Sequence, residues 1–339
     1  MRQKTVHLTL GLIASFLVVL LILSLLLIQL TTAATTVQTL HGKVIILDPG
    51  HGQGNTNIFE GYDEQVRMLA LAHRIKPLLE ERGATVLMTR PTEEDVILPV
   101  RAAMLNRWAL EAIRDARQRE LEFSESEQGA RRVQRDLDEI DRLLAIIQSV
   151  IDDPERNAPI YLNFPFDTTY TRAIHPDWRR IFELQNDPLI SDNYLVISLH
   201  SNATPRPINT AMNGVDIFYM SNARRNNGAY FANYAHERHS FHFANLLIDN
   251  IVTTGLNKRG VSPHYFLIIR EHNLPAVLVE NGFHTNAADR ARLQDDAFLD
   301  RLAMVYADTI SHYFANMDEI PDQVPGRLHD ILLDIFGTR

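Results

Sequence analysis

Apolar residues along the chain alternate between short continuous runs and positions at helical spacing. Buried strands are predicted by five such runs, at 43–48, 84–90, 193–200, 214–220 and 275–281. Helices are predicted by apolar residues at helical spacing over 64–82, 237–254 and 297–316. Strands that alternate with helices favour an α/β fold, in which a mostly parallel, twisted sheet is flanked by helices. We expect this fold to occupy 43–318 as a single domain.

A long segment between the second and third predicted strands interrupts this alternation. In its second half, apolar residues follow a spacing of four and three, at Val133, Leu137, Ile140, Leu144, Ile147 and Ile151. The same spacing precedes a polar ESEQG break, so a helical hairpin is predicted with arms at 99–121 and 127–152. The hairpin is either a packed pair of helices or an arm that binds a partner. We expect 153–192 to be an ordered loop with one short helix, and we treat about 105–192 as an inserted segment.

The two ends of the chain lie outside this predicted domain. Residues 8–30 contain no charged side chain, and a helix of that length, at about 1.5 Å per residue, can cross a bilayer. Because Arg2 and Lys4 precede this helix, we predict that residues 1–30 anchor the protein in the cytoplasmic membrane with the rest of the chain outside, or are a cleaved signal that leaves it secreted. We expect a linker at 31–42 and a tail with a short helix at 319–339.

Composition excludes several classes of protein. With 45% hydrophobic and 22% charged residues, the chain is globular rather than disordered. The absence of Cys excludes disulfide scaffolds, thiolate metal sites and cysteine nucleophiles. The 33 basic and 42 acidic residues give a net charge of −9, so we expect no nucleic acid partner.

Metal-binding and acidic side chains follow three of the predicted strands. His51 comes just after the first strand, whereas His200 and Glu280 end two later ones. Because parallel strands end at the same edge of a sheet, we expect these side chains to lie close together. Two histidines and one carboxylate are the ligands of a catalytic zinc site. On residue types and spacing alone, the carboxylate is either Glu60 or Glu64, near the start of the first helix.

Five sequence blocks occur in a characteristic order: VIILDPGHG, GYDEQVRMLALA, LVISLHSNA, RGV and PAVLVENGFHTN. In this order they resemble the signature blocks of the zinc-dependent N-acetylmuramoyl-L-alanine amidases (amidase type 3), the cell-wall amidases with a DPGHG motif. The resemblance implies that His51, Glu64 and His200 bind Zn²⁺ and that Glu280 is the catalytic acid and base. It favours Glu64 over Glu60, because Gly61-x-x-Glu64 fits the family block.

The resemblance also implies a function in the cell envelope. The reaction would be hydrolysis of the amide bond between N-acetylmuramic acid and L-alanine in peptidoglycan, outside the cytoplasm. Some family members carry an inserted helical segment that covers the site until a partner moves it, so an activator protein acting on 105–192 is expected. Two alternatives are a non-catalytic cell-wall binding or regulatory protein on the same fold, and a zinc amidase or peptidase that acts on another extracellular amide.

Other polar residues near these blocks have open roles. His284 stands where the family usually has an aliphatic residue, which allows a role behind the metal ligands. Asp48 either orients His51 or only shapes the turn before Pro-Gly. His264 and His272 could line a substrate groove.

Overall fold

The protein contains a six-stranded sheet at its centre. The computed structural model describes residues 39–164, 173–223 and 229–324. The strands of this sheet are β1 (Val44–Pro49), β4 (Thr85–Met88), β5 (Tyr194–Asn202), β6 (Val215–Tyr219), β7 (Lys258–Pro263) and β8 (Ala276–Phe283). A short antiparallel hairpin consists of β2 (Ile58–Phe59) and β3 (Tyr62–Asp63).

The strand order in the main sheet is β4–β1–β5–β8–β6–β7. Every neighbouring pair is parallel except β6 and β8, which are antiparallel. The carboxyl ends of β1, β5 and β8 therefore lie side by side at one edge, as the sequence predicts. The α/β prediction with a mostly parallel sheet is confirmed.

Helices cover both faces of the sheet. Within the described residues they are α1 (Glu64–Glu81), α2 (Leu98–Glu122), α3 (Glu127–Asp152), α4 (Pro154–Tyr161), α5 (Pro176–Leu184), α6 (Pro188–Asn193), α7 (Glu237–Ile251), α8 (Leu267–Arg270), α9 (Ala287–Gln294) and α10 (Asp296–Ala315).

Alternate residues of the central strands face two separate apolar cores. Ile45 and Leu47 of β1 belong to a core that α1, α7 and α10 complete. Ile46, between them in sequence, belongs to a second core that includes residues of α2, α3, α5 and α8. Because successive side chains of a strand point to opposite faces, strands buried on both sides read as continuous apolar runs.

The inserted segment supplies half of the buried residues of the second core. Leu105 and Leu110 of α2 and Ile140 of α3 are buried in the same cluster as Val196 and Leu278 of the sheet. The predicted hairpin is therefore present, with arms at Leu98–Glu122 and Glu127–Asp152. Its packing makes it a structural layer of the domain.

The apolar seam of α3 departs from the predicted heptad positions. Leu143 and Val150 are buried, whereas the predicted Leu144 and Ile151 are only partly buried. The buried positions from Val133 to Val150 are thus separated by four, three, three, four and three residues. The buried side of α3 packs against α2 and forms part of the second core of the domain.

The prediction of a loop with a single helix over 153–192 is wrong for the described part of that segment. It contains α4 and α6 as well as α5, which begins one residue before the predicted helix. Each of these helices has Pro at its first position, after a side chain that caps the amino terminus. Proline is favourable there because its fixed φ suits the helix and its missing N–H would have no helical partner. Three prolines of this segment, Pro154, Pro176 and Pro188, therefore start helices.

The predicted fold class needs one correction, which concerns the transmembrane helix. No helix within 39–164, 173–223 and 229–324 is sufficiently long and apolar to span a membrane. Residues 8–30, on which that prediction fell, lie outside the described residues, as does the short helix predicted for the tail. For the described residues, the fold class is corrected to an α/β fold with a helical hairpin and no membrane-spanning helix.

Candidate metal centre

Three predicted ligands meet at the edge where β1 and β5 end. One ligand atom from each of His51, Glu64 and His200 lies within 4.8 Å of the others. The Nε2 atom of His51 is 3.2 Å from Oε2 of Glu64, and Nδ1 of His200 is 3.0 Å from Oε1 of the same carboxylate. The structure thus brings together a turn residue, the first residue of α1 and a residue of β5.

The turn after β1 brings His51 close to His200 because residue 50 is glycine. A Cβ atom at Gly50 would lie 2.3 Å from Cε1 of His200, closer than carbon atoms can approach. His51 itself has a φ of 60°, in the left-handed region that non-glycine residues rarely adopt. Such a conformation persists only where the surroundings hold it, and it is typical of functional sites.

Two buried arginines hold this turn through its carbonyl oxygens. Arg90 donates to the carbonyl oxygens of Pro49 (3.3 Å) and Gly50 (3.1 Å). Arg101 donates to those of Pro49 (2.7 Å) and His51. Sequence reasoning missed both residues. A signal for Arg101 exists, because it lies on the apolar face of α2 between Leu98 and Leu105, where a charge needs a partner.

Asp48 stabilises the turn and does not orient the His51 ring. Its carboxylate accepts hydrogen bonds from Thr89 (2.5 Å), Ser198 (2.6 Å) and Arg101 (3.1 Å). Burial opposes ionisation, but Arg101 and the two hydroxyl groups outweigh it and lower the pKa of Asp48 below its ordinary value. His51 is oriented by the carbonyl oxygen of Asn55, 3.1 Å from its Nδ1, which leaves Nε2 directed toward Glu64.

The Glu64 carboxylate is buried and fully hydrogen-bonded. Beyond its contacts with the two histidines, Oε1 accepts from the backbone N–H of Ser201 (2.9 Å) and Oε2 from the side chain of Asn57 (2.8 Å). Burial opposes ionisation of Glu64, but the hydrogen bonds and charges of His200 and His51 outweigh it and lower the pKa of the carboxyl. Burial likewise opposes the charge on His200, whose pKa is nevertheless raised by Glu64.

Glu60 lies outside this cluster. Its carboxylate is exposed and forms an ion pair with Arg290. Of the two carboxylates that spacing left open, the structure therefore brings Glu64 to the histidines.

Glu280 lies beside the cluster on the neighbouring strand. It is the register partner of His200 on one side and of Asp216 on the other, so the three side chains share one face of the sheet. Its Oε2 atom is buried and has no hydrogen-bond partner among the described residues. Burial raises the pKa of Glu280 to about 8; His200 opposes this rise, whereas the charges of Glu64 and Asp216 add to it.

A cavity of about 270 Å³ opens onto these side chains. Its lining consists of His51, Leu98, His200, Phe266, Leu267, Ile268, Leu278 and Glu280. No described residue of the 105–192 insertion is among them, so those residues do not form the expected cover over this cavity. The insertion reaches the site indirectly, because Asn106 and Trp178 both donate to the carbonyl oxygen of Glu271, next to α8.

His264, His272 and His284 are held by contacts within the domain. His272 is buried and bonded on both ring nitrogens, to the carbonyl oxygen of Ile268 and the N–H of Leu274. His264 stacks on Phe266, 3.8 Å between ring centroids. Neither lines the cavity, so the expectation of a groove role is not met there. His284 is buried behind Glu64 and contacts Ser201.

The donor set suits a zinc ion. Imidazole nitrogens and one carboxylate are the ligands of hydrolytic zinc sites, and three protein ligands leave a position for water. The Nδ1 atom of His51 is already hydrogen-bonded to a carbonyl group, as is usual for a histidine that binds metal through its other nitrogen.

Comparison with known proteins gives the same identification as the motifs. A family model described as N-acetylmuramoyl-L-alanine amidase matches residues 45–113 and 167–312. The N-acetylmuramoyl-L-alanine amidase LytC of Bacillus subtilis is 30% identical over 120 residues, which are 35% of this chain and 21% of LytC. The germination-specific N-acetylmuramoyl-L-alanine amidase of the same organism is 41% identical over 58 residues, 17% of this chain and 24% of that protein.

The chain thus spans about a fifth to a quarter of the length of these relatives. Among solved structures, the N-acetylmuramoyl-L-alanine amidase of Clostridium difficile 630 superposes with a TM-score of 0.48 at 15% identity, covering 81% of this chain and 97% of the other. The family model matches more than half of the chain. The chain belongs to the N-acetylmuramoyl-L-alanine amidase family.

Proposed function

We propose that the protein hydrolyses the amide bond between N-acetylmuramic acid and L-alanine in peptidoglycan, in the cell envelope outside the cytoplasm. The observation that carries this proposal is the meeting of His51, Glu64 and His200 within 4.8 Å, beside Glu280 and a cavity. Family membership supports the choice of substrate.

The proposed metal is Zn²⁺, held by His51, Glu64 and His200. When bound, it would supply a Lewis acid that polarises the amide carbonyl and lowers the pKa of water. The buried Glu64 would contribute charge to the site, while its hydrogen bonds to Asn57 and Ser201 keep the carboxylate in place.

Glu280 is the proposed general base and general acid. Its carboxylate would accept a proton from the attacking water, whose oxygen forms a bond to the amide carbon. It would then return this proton to the amide nitrogen as the C–N bond breaks. Burial raises the pKa of Glu280 above its ordinary value, which favours retention of the proton between the two steps.

Digestion of purified peptidoglycan tests the proposal. We expect new amino-terminal alanine and intact N-acetylmuramic acid in the products, and loss of cleavage after the metal is chelated. New termini elsewhere in the peptide would identify another amidase or peptidase. Binding without any cleavage would identify a non-catalytic cell-wall protein.

An activator that acts on the inserted segment is a further part of this proposal. Its support is the contact of Asn106 and Trp178 with the carbonyl oxygen of Glu271, which connects the insertion to the segment that lines the cavity. A partner that shifts α2 or α5 would move that segment. Comparing cleavage by Asn106→Ala, Trp178→Phe and the wild type tests the connection, since both substitutions remove a donor to Glu271. Unchanged rates in both variants would contradict it.

A further inference from the structure

Three buried side chains form a hydrogen-bonded group directly behind Glu64. We call this group, Tyr62, Ser201 and His284, the clamp. The hydroxyl group of Tyr62 donates to Oγ of Ser201 at 2.8 Å, and Oγ lies 3.1 Å from Nδ1 of His284. The His284 ring stacks on the Tyr62 ring, with centroids 5.0 Å apart and planes inclined by 14°. All three side chains are buried.

Ser201 links the two rings of the clamp, because its hydroxyl group can accept one hydrogen bond and donate another. Ser201 Oγ accepts from Tyr62, so its own hydrogen can be donated to Nδ1 of His284. The Nε2 atom of His284 is buried and has no hydrogen-bond partner among the described residues. An unpaired buried polar atom is unfavourable. The polar contact of the His284 ring is therefore the one between Nδ1 and Oγ of Ser201.

The clamp fixes an irregular part of β5. The register between β5 and β8 shifts between His200 and Asn202, so Ser201 lies at the irregularity. There the backbone N–H of Ser201 turns to Oε1 of Glu64 at 2.9 Å. The backbone N–H of His284 donates to the carbonyl oxygen of Asn202 at 2.9 Å. His284 thus contacts the side chain of Ser201, whose backbone binds Glu64, and the backbone of the next residue, Asn202.

We propose that His284 is a positioning residue that holds Ser201, and through it the Glu64 carboxylate, in the geometry that binds Zn²⁺. The inference rests on the metal site of the proposed function. An aliphatic side chain at position 284 would have no polar atom for the Ser201 hydroxyl group.

Zinc affinity of the purified full chain, measured by competition with a chelator, tests the proposal without the need for turnover. Partners that orient metal ligands typically contribute about 10- to 100-fold in affinity. We expect His284→Leu to weaken zinc binding about tenfold. His284→Asn should stay within about threefold of the wild type, because Oδ1 of Asn can accept in place of Nδ1.

Ser201→Ala provides an independent measurement of the same link. It removes the hydroxyl group and keeps the backbone N–H that binds Glu64, so it should weaken zinc binding about as much as His284→Leu. The double variant should bind zinc no more weakly than either single one, because both remove the same interaction. His239→Leu is the matched control: His239 is also buried and bonded to a tyrosine hydroxyl, that of Tyr313. It should leave the affinity unchanged.

The outcomes separate this inference from the proposed function. Wild-type affinity in His284→Leu, or independent additive losses in the two single variants, overturns the clamp. If His284→Leu fails to fold, Ser201→Ala decides by the same measurement. A wild type that binds zinc tightly at this site and leaves peptidoglycan intact overturns the proposed function alone. A wild type that binds no zinc overturns both.

Discussion

Glu280 is the central acid of a row that crosses three strands, with His200 on one side and Asp216 on the other. Asp216 is itself paired with Arg259, 2.7 Å from Nε to Oδ2. That guanidinium group also lies over the ring of Phe283, 4.9 Å from its centroid. Asp216 is therefore held by a partner of its own, whereas Oε2 of Glu280 has none among the described residues. This difference singles out Glu280 as the acid available for proton transfer.

Replacement of Glu280 by Gln should separate catalysis from metal binding. A neutral amide of the same shape cannot accept a proton from water, so turnover should fall about 10²- to 10⁴-fold while zinc content and melting temperature persist. Glu60→Gln is the control, because Glu60 is an exposed glutamate paired with Arg290, and it should keep full activity. A loss below tenfold in Glu280→Gln would assign the proton transfer to another group.

Gly50→Ala tests the close approach of the turn to His200. The new methyl group would meet the imidazole ring at 2.3 Å, so the ring or the turn has to move. An overpacked contact costs about 1–3 kcal/mol, which predicts zinc binding weaker by about tenfold or more. Gly260→Ala is the control, since nothing lies within 4 Å of a Cβ there. Equal zinc affinity of the two variants would show that the site does not depend on this approach.

At the scale of elements, α2 does more than begin the inserted hairpin. Its first turns place Leu98 in the cavity lining and Arg101 in a buried ion pair with Asp48, while its later residues enter the second core. One helix thus connects the insertion, the sheet and the turn that presents His51. The inserted segment is built into the domain, and a change in its packing has a direct route to the metal centre.

Arg101→Leu should destabilise the fold strongly. It would leave the buried charge of Asp48 without its cationic partner, and loss of one member of a buried pair typically costs about 3–5 kcal/mol. The free energy of unfolding in urea measures this loss. Arg131→Leu, which removes an exposed ion pair with Glu127 on α3, should change it by less than about 1 kcal/mol. A comparable effect of the two substitutions would contradict the structural role of Arg101.

At the scale of the whole molecule, several histidines are buried as neutral groups. Burial lowers the pKa of His236 and His272 to about 4 and that of His239 to about 3. In the unfolded chain their pKa is about 6.5. Between these values the unfolded state binds more protons than the folded state. The contribution of these histidines to the free energy of unfolding is therefore fully present above pH 6.5, and it is lost as the pH falls toward 4.

This linkage predicts a steep loss of stability in mild acid. By pH 5 each such histidine should lower the free energy of unfolding by about 2 kcal/mol relative to pH 7. His236→Gln isolates one contribution, because the amide of Gln can still donate to the carbonyl oxygen of Gln185, which the His236 ring contacts at 2.9 Å. Between pH 7 and 5, the free energy of unfolding of that variant should fall by about 2 kcal/mol less than that of the wild type. An identical loss in both proteins would contradict the prediction.

Local patterns were sufficient to predict the frame of this protein. Continuous apolar runs mark strands buried on both faces, and the polar residues that end them mark one edge of a parallel sheet. His51, His200 and Glu280 could therefore be placed together from the sequence. Short-range periodicity also predicted both arms of the hairpin, because a helix repeats its buried face every few residues along the chain.

Only the tertiary structure decided what depends on distant partners. Spacing left Glu64 and Glu60 open, and the resemblance to the family blocks favoured Glu64. The physical reason is tertiary, namely the hydrogen bond of Ser201 to Glu64 and the ion pair of Arg290 with Glu60. The antiparallel β6, the second core made by the insertion and the two arginines that hold the turn likewise arise between residues far apart in sequence. Periodicity records which face of an element is buried, but it carries no information about which other element buries it.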